Sequence, residues 1–157
     1  MSPHDLSLAL FRPPIVLIVE DRPALRSATG RMVGALGYDV RSARTGIQAL
    51  ALVRSHPGLY DLVLADIHLA DMDGGEFIER LRLSQRGIRL AWIAEYVPIG
   101  RAATLVARYP DVPLVKEPFG FRELRDVLTA VVGPPRAAMA VPGSLRSARR
   151  PVRGRVL

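Results

Sequence analysis

Ile15-Val16-Leu17-Ile18-Val19 is an unbroken aliphatic run. It is too short for a helix and suits a strand covered on both faces. Leu25, Ala28, Met32, Val33 and Leu36 then recur at three- and four-residue spacing, which predicts a helix. Pro23 fits its first turn and Gly37 its stop. Gly30 and Gly34 weaken it locally. Tyr38–Ala43 reads as a short strand. Thr45 caps a helix running through Ile47, Leu50, Ala51 and Arg54 to the stop at Pro57-Gly58.

Leu62-Val63-Leu64-Ala65 is a second buried-type strand, ending at Asp66. A loop over Ile67–Asp73 leads through Gly74-Gly75 into a helix carrying Phe77, Ile78, Leu81 and Leu83. Leu90–Ala94 is predicted as a strand, Ile99–Tyr109 as a helix with Ala102, Leu105 and Val106 inward, and Val112–Val115 as the fifth strand. Phe121–Val132 closes the series as a helix with Leu124, Val127, Leu128 and Val131 on one face. Strand and helix thus alternate five times. That order predicts an α/β fold, a doubly wound five-stranded parallel sheet with helices on both faces. Ligands in such sheets sit at the carboxyl ends of the strands.

The ordered unit is expected over 14–133. Residues 1–13 read as an extension whose Leu6, Leu8, Leu10 and Phe11 carry no evident chemistry. Residues 134–157 are rich in Pro, Gly, Ala, Ser and Arg, lack periodicity, and read as a basic, disordered tail. That division changes the meaning of the charge. The 157-residue chain has a net charge of +7. Six arginines and no acid lie in 134–157, which leaves 16 basic and 15 acidic residues in the rest, a net of +1. There is no cysteine, which excludes disulfides, thiolate metal sites and cysteine nucleophiles. No apolar run approaches the ~20 residues of a membrane helix, and the N-terminus lacks a signal-peptide pattern. A cytoplasmic protein is expected. Of the 22 basic residues only Lys116 is a lysine.

Three acids fall at strand ends: Glu20 and Asp21 after the first strand, Asp66 after the third. In a parallel sheet these ends share one edge, and neighbouring strands lie only ~5 Å apart. Converging carboxylates repel one another and raise a pKa. A hard divalent cation relieves this, and Mg²⁺ suits a few carboxylates and several waters. Singly, an acid after a strand is a solvated group or a helix cap; together, in this topology, the three point to a metal site.

The segments Ile15–Asp21 and Asp61–Asp66, followed by Met72-Asp73-Gly74, resemble the receiver domain of bacterial response regulators over roughly 14–132. The resemblance implies a flavodoxin-like (βα)₅ fold in two-component phosphorelay signalling. It makes Asp66 the phospho-accepting aspartate. Glu20 and Asp21 would hold Mg²⁺ with Asp66, Asp21 more directly, and the backbone carbonyl of His68 would complete the protein's share. The implied chemistry is attack by the Asp66 carboxylate on a phosphohistidine of a sensor histidine kinase or phosphotransfer protein, with the cation shielding charge. Ala70 stands where the family often has proline.

The pattern breaks in two places. Where the family's fourth strand ends in Thr or Ser and a small residue, this chain has Ala94 and Glu95. Alignment on Pro118-Phe119 puts Glu117 at the family's lysine position, Leu114 at its switch aromatic, and Lys116 one residue early. Strand alternation turns Lys116 away from the pocket, and only a bulge would restore it. Otherwise Lys116 is a solvated cation. The Glu117–Pro118 peptide is a cis candidate by the same resemblance. Metal binding is therefore expected to persist while phosphorylation is impaired or transmitted unconventionally.

The leading reading is a single-domain receiver with output through a downstream protein partner or a homodimer. Its face would be the fourth helix, fifth strand and fifth helix, with Leu105, Tyr109 and Phe119 as contacts. The alternative is a degenerate receiver acting as a phosphorylation-independent interaction module. Nucleic-acid binding through Arg146, Arg149, Arg150, Arg153 and Arg155 would be salt-sensitive, but no stacking aromatics or helix-turn-helix accompany them. A dedicated enzyme is not expected: there is no phosphate-binding P-loop and no nucleophile–base pair.

Overall fold

The computed structural model describes residues 12–135. The expected extension, apart from Arg12 and Pro13, and the arginines of the tail lie outside the described residues. Five strands, β1 (Ile15–Val19), β2 (Asp39–Ala43), β3 (Leu62–Asp66), β4 (Arg89–Ala94) and β5 (Leu114–Lys116), alternate with five helices. The helices are α1 (Pro23–Ala35), α2 (Gly46–Ser55), α3 (Gly74–Ser84), α4 (Gly100–Arg108) and α5 (Phe121–Val132). The strands form one parallel sheet in the order β2-β1-β3-β4-β5. The doubly wound parallel sheet expected from the alternation, and the flavodoxin-like order implied by the resemblance, are observed.

The pleat divides the core in two. Ile15, Leu17 and Val19 of β1, with Val63 and Ala65 of β3, pack beneath α2, α3 and α4. Val16 and Ile18, with Leu62 and Leu64, pack beneath α1 and α5, where Val33, Leu124 and Leu128 are buried. β1 and β3 are buried on both faces, which is why they read as continuous apolar runs.

Side chains fix several junctions. Asp61 Oδ2 accepts from the backbone N–H of Ile15 at 2.8 Å and pairs with Arg12 at 2.8 Å. Asp71 accepts from the N–H groups of Gly46 and Ile47, both at 2.9 Å, and so covers the first turn of α2. Thr45 caps the same helix through Gln48 N, and Asp73 caps α3 through Gly75 N. Val33 O takes the N–H of Tyr38, so β2 begins at Asp39 rather than at Tyr38.

Two further expectations are corrected. The fifth strand starts at Leu114, not Val112, and extends to Lys116. Val112 N is spent on Tyr109 O in a turn, and Pro113 has no N–H for the ladder. Leu105 is buried in the core, as its inward helical position predicts, and so is not an exposed partner contact. Exposed apolar side chains there are instead Tyr96, Val97 and Ile99 in the connection from β4 to α4, and Phe121 at the start of α5.

Candidate acidic site and its arginine

The β1–β3 pairing places Val19 opposite Ala65, so Glu20 and Asp66 leave the sheet side by side. Carboxylate oxygens of Glu20, Asp21 and Asp66 all lie within 4.8 Å of one another. Glu20 and Asp66 are buried, at 2% and 7% exposure, while Asp21 opens to solvent. An all-oxygen set with one solvent-facing member fits a hard divalent cation that keeps part of its hydration.

Asp66 Oδ1 accepts from the backbone N–H of His68 at 2.8 Å, and the His68 side chain is exposed. Burial is the main cause holding the Asp66 pKa above the ordinary carboxylate value. The His68 N–H opposes that shift, the charge of Glu20 adds to it, and Arg22 lowers it.

Arg22 is the residue that sequence reasoning missed. Its Nε donates to Glu20 Oε1 at 3.0 Å, and its Nη2 to Glu20 Oε2 at 3.3 Å. Nη2 also lies 3.4 Å from Asp66 Oδ2 and 3.8 Å from Glu117 Oε1. Nη1 donates to Glu95 Oε2 at 3.1 Å. One guanidinium therefore faces four carboxylates from four different strand ends. The hydrogen bond to Glu20 is the largest cause keeping its pKa above the ordinary arginine value. Arg26 braces the same turn by donating to the backbone oxygens of Glu20 at 2.8 Å and Asp21 at 3.3 Å.

A family model described as "Response regulator receiver domain" matches residues 16–127. The chain belongs to the response regulator receiver domain family. It is a receiver of two-component signalling, homologous to those of histidine kinases. It is 30% identical over 111 residues to the "Sensor kinase CckA" of Brucella abortus, covering 69% of this chain and 11% of the kinase. It is 40% identical over 67 residues to the Escherichia coli "Sensor protein EvgS", covering 43% of this chain and 5% of that protein. Among solved structures, Vibrio cholerae chemotaxis protein CheY4 superposes with a TM-score of 0.66 at 21% identity, covering 75% of this chain and 98% of that one. A receiver domain from the hybrid histidine kinase CckA gives 0.62 at 23%, covering 75% and 98%. These two structures share the fold.

As a receiver, the chain departs from the family pattern implied by the sequence at the ends of β4 and β5. Ala94 is buried and offers no hydroxyl. Leu114 packs against the core as an aliphatic residue. The β4–β5 register runs without interruption through Trp92–Leu114, Ile93–Val115 and Ala94–Lys116, so no bulge re-aims Lys116, which is exposed. Glu117 takes the inward position. Its Oε1 is buried with no hydrogen-bond partner, and burial is the leading cause raising its pKa. The Glu117–Pro118 peptide is cis.

A sequence signal for Arg22 existed: it directly follows the two acids after β1, and the family's lysine position at the end of β5 holds Glu117 instead. Its partners did not show, because Asp66 and Glu95 lie 44 and 73 residues away along the chain.

Proposed function

We propose that this receiver accepts a phosphoryl group on Asp66, with Glu20, Asp21, Asp66 and the His68 backbone carbonyl holding Mg²⁺. The supporting observation is the convergence of the three carboxylates at one sheet edge. In the step, an Asp66 carboxylate oxygen attacks phosphorus. The bond to the donor histidine nitrogen breaks, and an acyl phosphate forms as the imidazole leaves. A bound divalent cation would shield the negative charge that meets there. The His68 N–H holds the other carboxylate oxygen and so orients the nucleophile. The donor is a sensor histidine kinase or phosphotransfer protein in the cytoplasm. Output passes to a protein partner, for which exposed Tyr96, Val97 and Ile99 beside Glu95 offer apolar contact. The protein is a phosphorylated switch rather than a dedicated enzyme.

Intact mass measurement after a small-molecule phosphodonor with Mg²⁺ tests this reading. A phosphoryl-sized mass gain is expected in the native protein and none in Asp66→Asn. No gain in either protein rejects it.

A second reading, a phosphorylation-independent interaction module, is favoured by one observation. Glu117 and Ala94 supply neither the cation nor the hydroxyl that steadies a phosphoryl group in the family. Partner binding unchanged by Asp66→Asn would support it.

A further inference from the structure

We infer that Arg22 is a built-in counter-cation that competes with the divalent ion for the carboxylates of Glu20 and Asp66. This inference rests on the metal reading given above. The guanidinium engages both oxygens of Glu20 and faces Oδ2 of Asp66, the oxygen not used by the His68 N–H. A carboxylate lone pair directed at an N–H is not available to a metal at the same time. Glu20 is almost wholly buried, so little water screens the repulsion between two cations at its carboxylate. Two cations held by one carboxylate repel each other, so each weakens the binding of the other.

Burial and charge explain why Arg22 takes this position. Buried carboxylates are costly without a partner. Lys116 points elsewhere, and the edge carries Glu95 and Glu117 in addition to Glu20, Asp21 and Asp66. Arginine suits the task because its planar fork can address several carboxylates at once. The two acids that depart from the family's phosphoryl pocket thus act as further anchors for Arg22. Glu95 is half exposed and lies on the solvent side of the guanidinium. A guanidinium released from Glu20 keeps that outer partner.

The consequence is a metal affinity weakened by the protein's own side chain, and an acceptor oxygen covered until the metal displaces it. Arg22→Met keeps the length and apolar stem while removing the charge. Mg²⁺ binding by the full chain is measured by titration calorimetry, and thermal unfolding is followed with chelator and with Mg²⁺. Arg22→Met is expected to bind Mg²⁺ at least fivefold more tightly than the native protein. It should melt lower in chelator and gain more from Mg²⁺. Arg22→Lys, which keeps the charge but cannot bridge the same set of carboxylates, should fall between the two and serves should Arg22→Met not fold. Equal or weaker binding in the variants overturns the competition and leaves the metal reading standing. No binding in any of the proteins overturns both.

Discussion

Arg22 and Glu20 are joined by two side-chain hydrogen bonds, Nε to Oε1 at 3.0 Å and Nη2 to Oε2 at 3.3 Å, across a single intervening residue. The backbone N–H of Arg22 adds a third contact to Oε1 at 3.0 Å. The turn after β1 therefore presents a buried acid already bound to its own cation. The same cation is the hub of the acidic edge, because Glu95 and Glu117 reach it from β4 and β5.

Glu117 tests whether burial or attraction to Arg22 dominates at that hub. Its folded pKa is raised above the unfolded value, chiefly by burial. A carboxyl group shifted upward favours folding in acid, and that contribution is lost as pH rises from the ordinary carboxylate value through the shifted one. Glu117→Gln should therefore stabilise the chain near neutral pH, because it removes a negative charge that burial penalises while keeping the side chain's shape. The gain should shrink toward acid pH. Urea unfolding in chelator at both pH values measures it, and a loss of stability near neutrality would show that Arg22's attraction wins.

Glu117→Lys together with Ala94→Thr should improve the phosphorylated state. A charge-assisted contact to a phosphoryl oxygen is worth roughly 1.5–3 kcal/mol, about tenfold or more in the occupancy it controls. The phosphorylated fraction at a fixed phosphodonor concentration, read by intact mass, should rise accordingly. An unchanged fraction would mean that the ends of β4 and β5 do not limit the reaction.

Glu95 contributes little to folding by itself. It is half exposed, and its bonds to Arg22 and Tyr96 compete with water. Glu95→Gln should change the unfolding free energy by less than about 1 kcal/mol. A loss above about 2 kcal/mol would show that the arginine hub acts as one cooperative unit.

Asp71 is a structural acid despite lying in the loop next to the site. It satisfies two N–H groups at the start of α2. Asp71→Ala should cost about 1 kcal/mol of stability in a denaturant titration, with Mg²⁺ affinity unchanged. A loss of Mg²⁺ binding would place Asp71 in the acidic cluster after all.

Much of this arrangement was legible in the residue order. Alternating apolar runs and helical spacings give the five strands and five helices, and the strand ends give Glu20, Asp21 and Asp66, because each signal is local. Period two also decides the faces. Ile18, Leu64 and Ile93 line the α1–α5 side, and two residues further along the same pleat come Glu20, Asp66 and Glu95. The one-residue offset that sends Lys116 away and Glu117 inward follows from the same rule. Local signals failed where a neighbour set the limit: Pro113 and the Tyr109 turn delay β5.

The sequence by itself determined the alternating units, the face each strand residue occupies, and the acids that end the strands. Those properties follow from periodicities of two and 3.6 residues within single segments. Tertiary structure alone decided that β1 lies between β2 and β3 and that Arg22 faces Glu20, Asp66, Glu95 and Glu117 together. A long side chain has many rotamers and no fixed partner along the chain. Only when the sheet brings the strand ends to one edge does the field of those carboxylates choose its position.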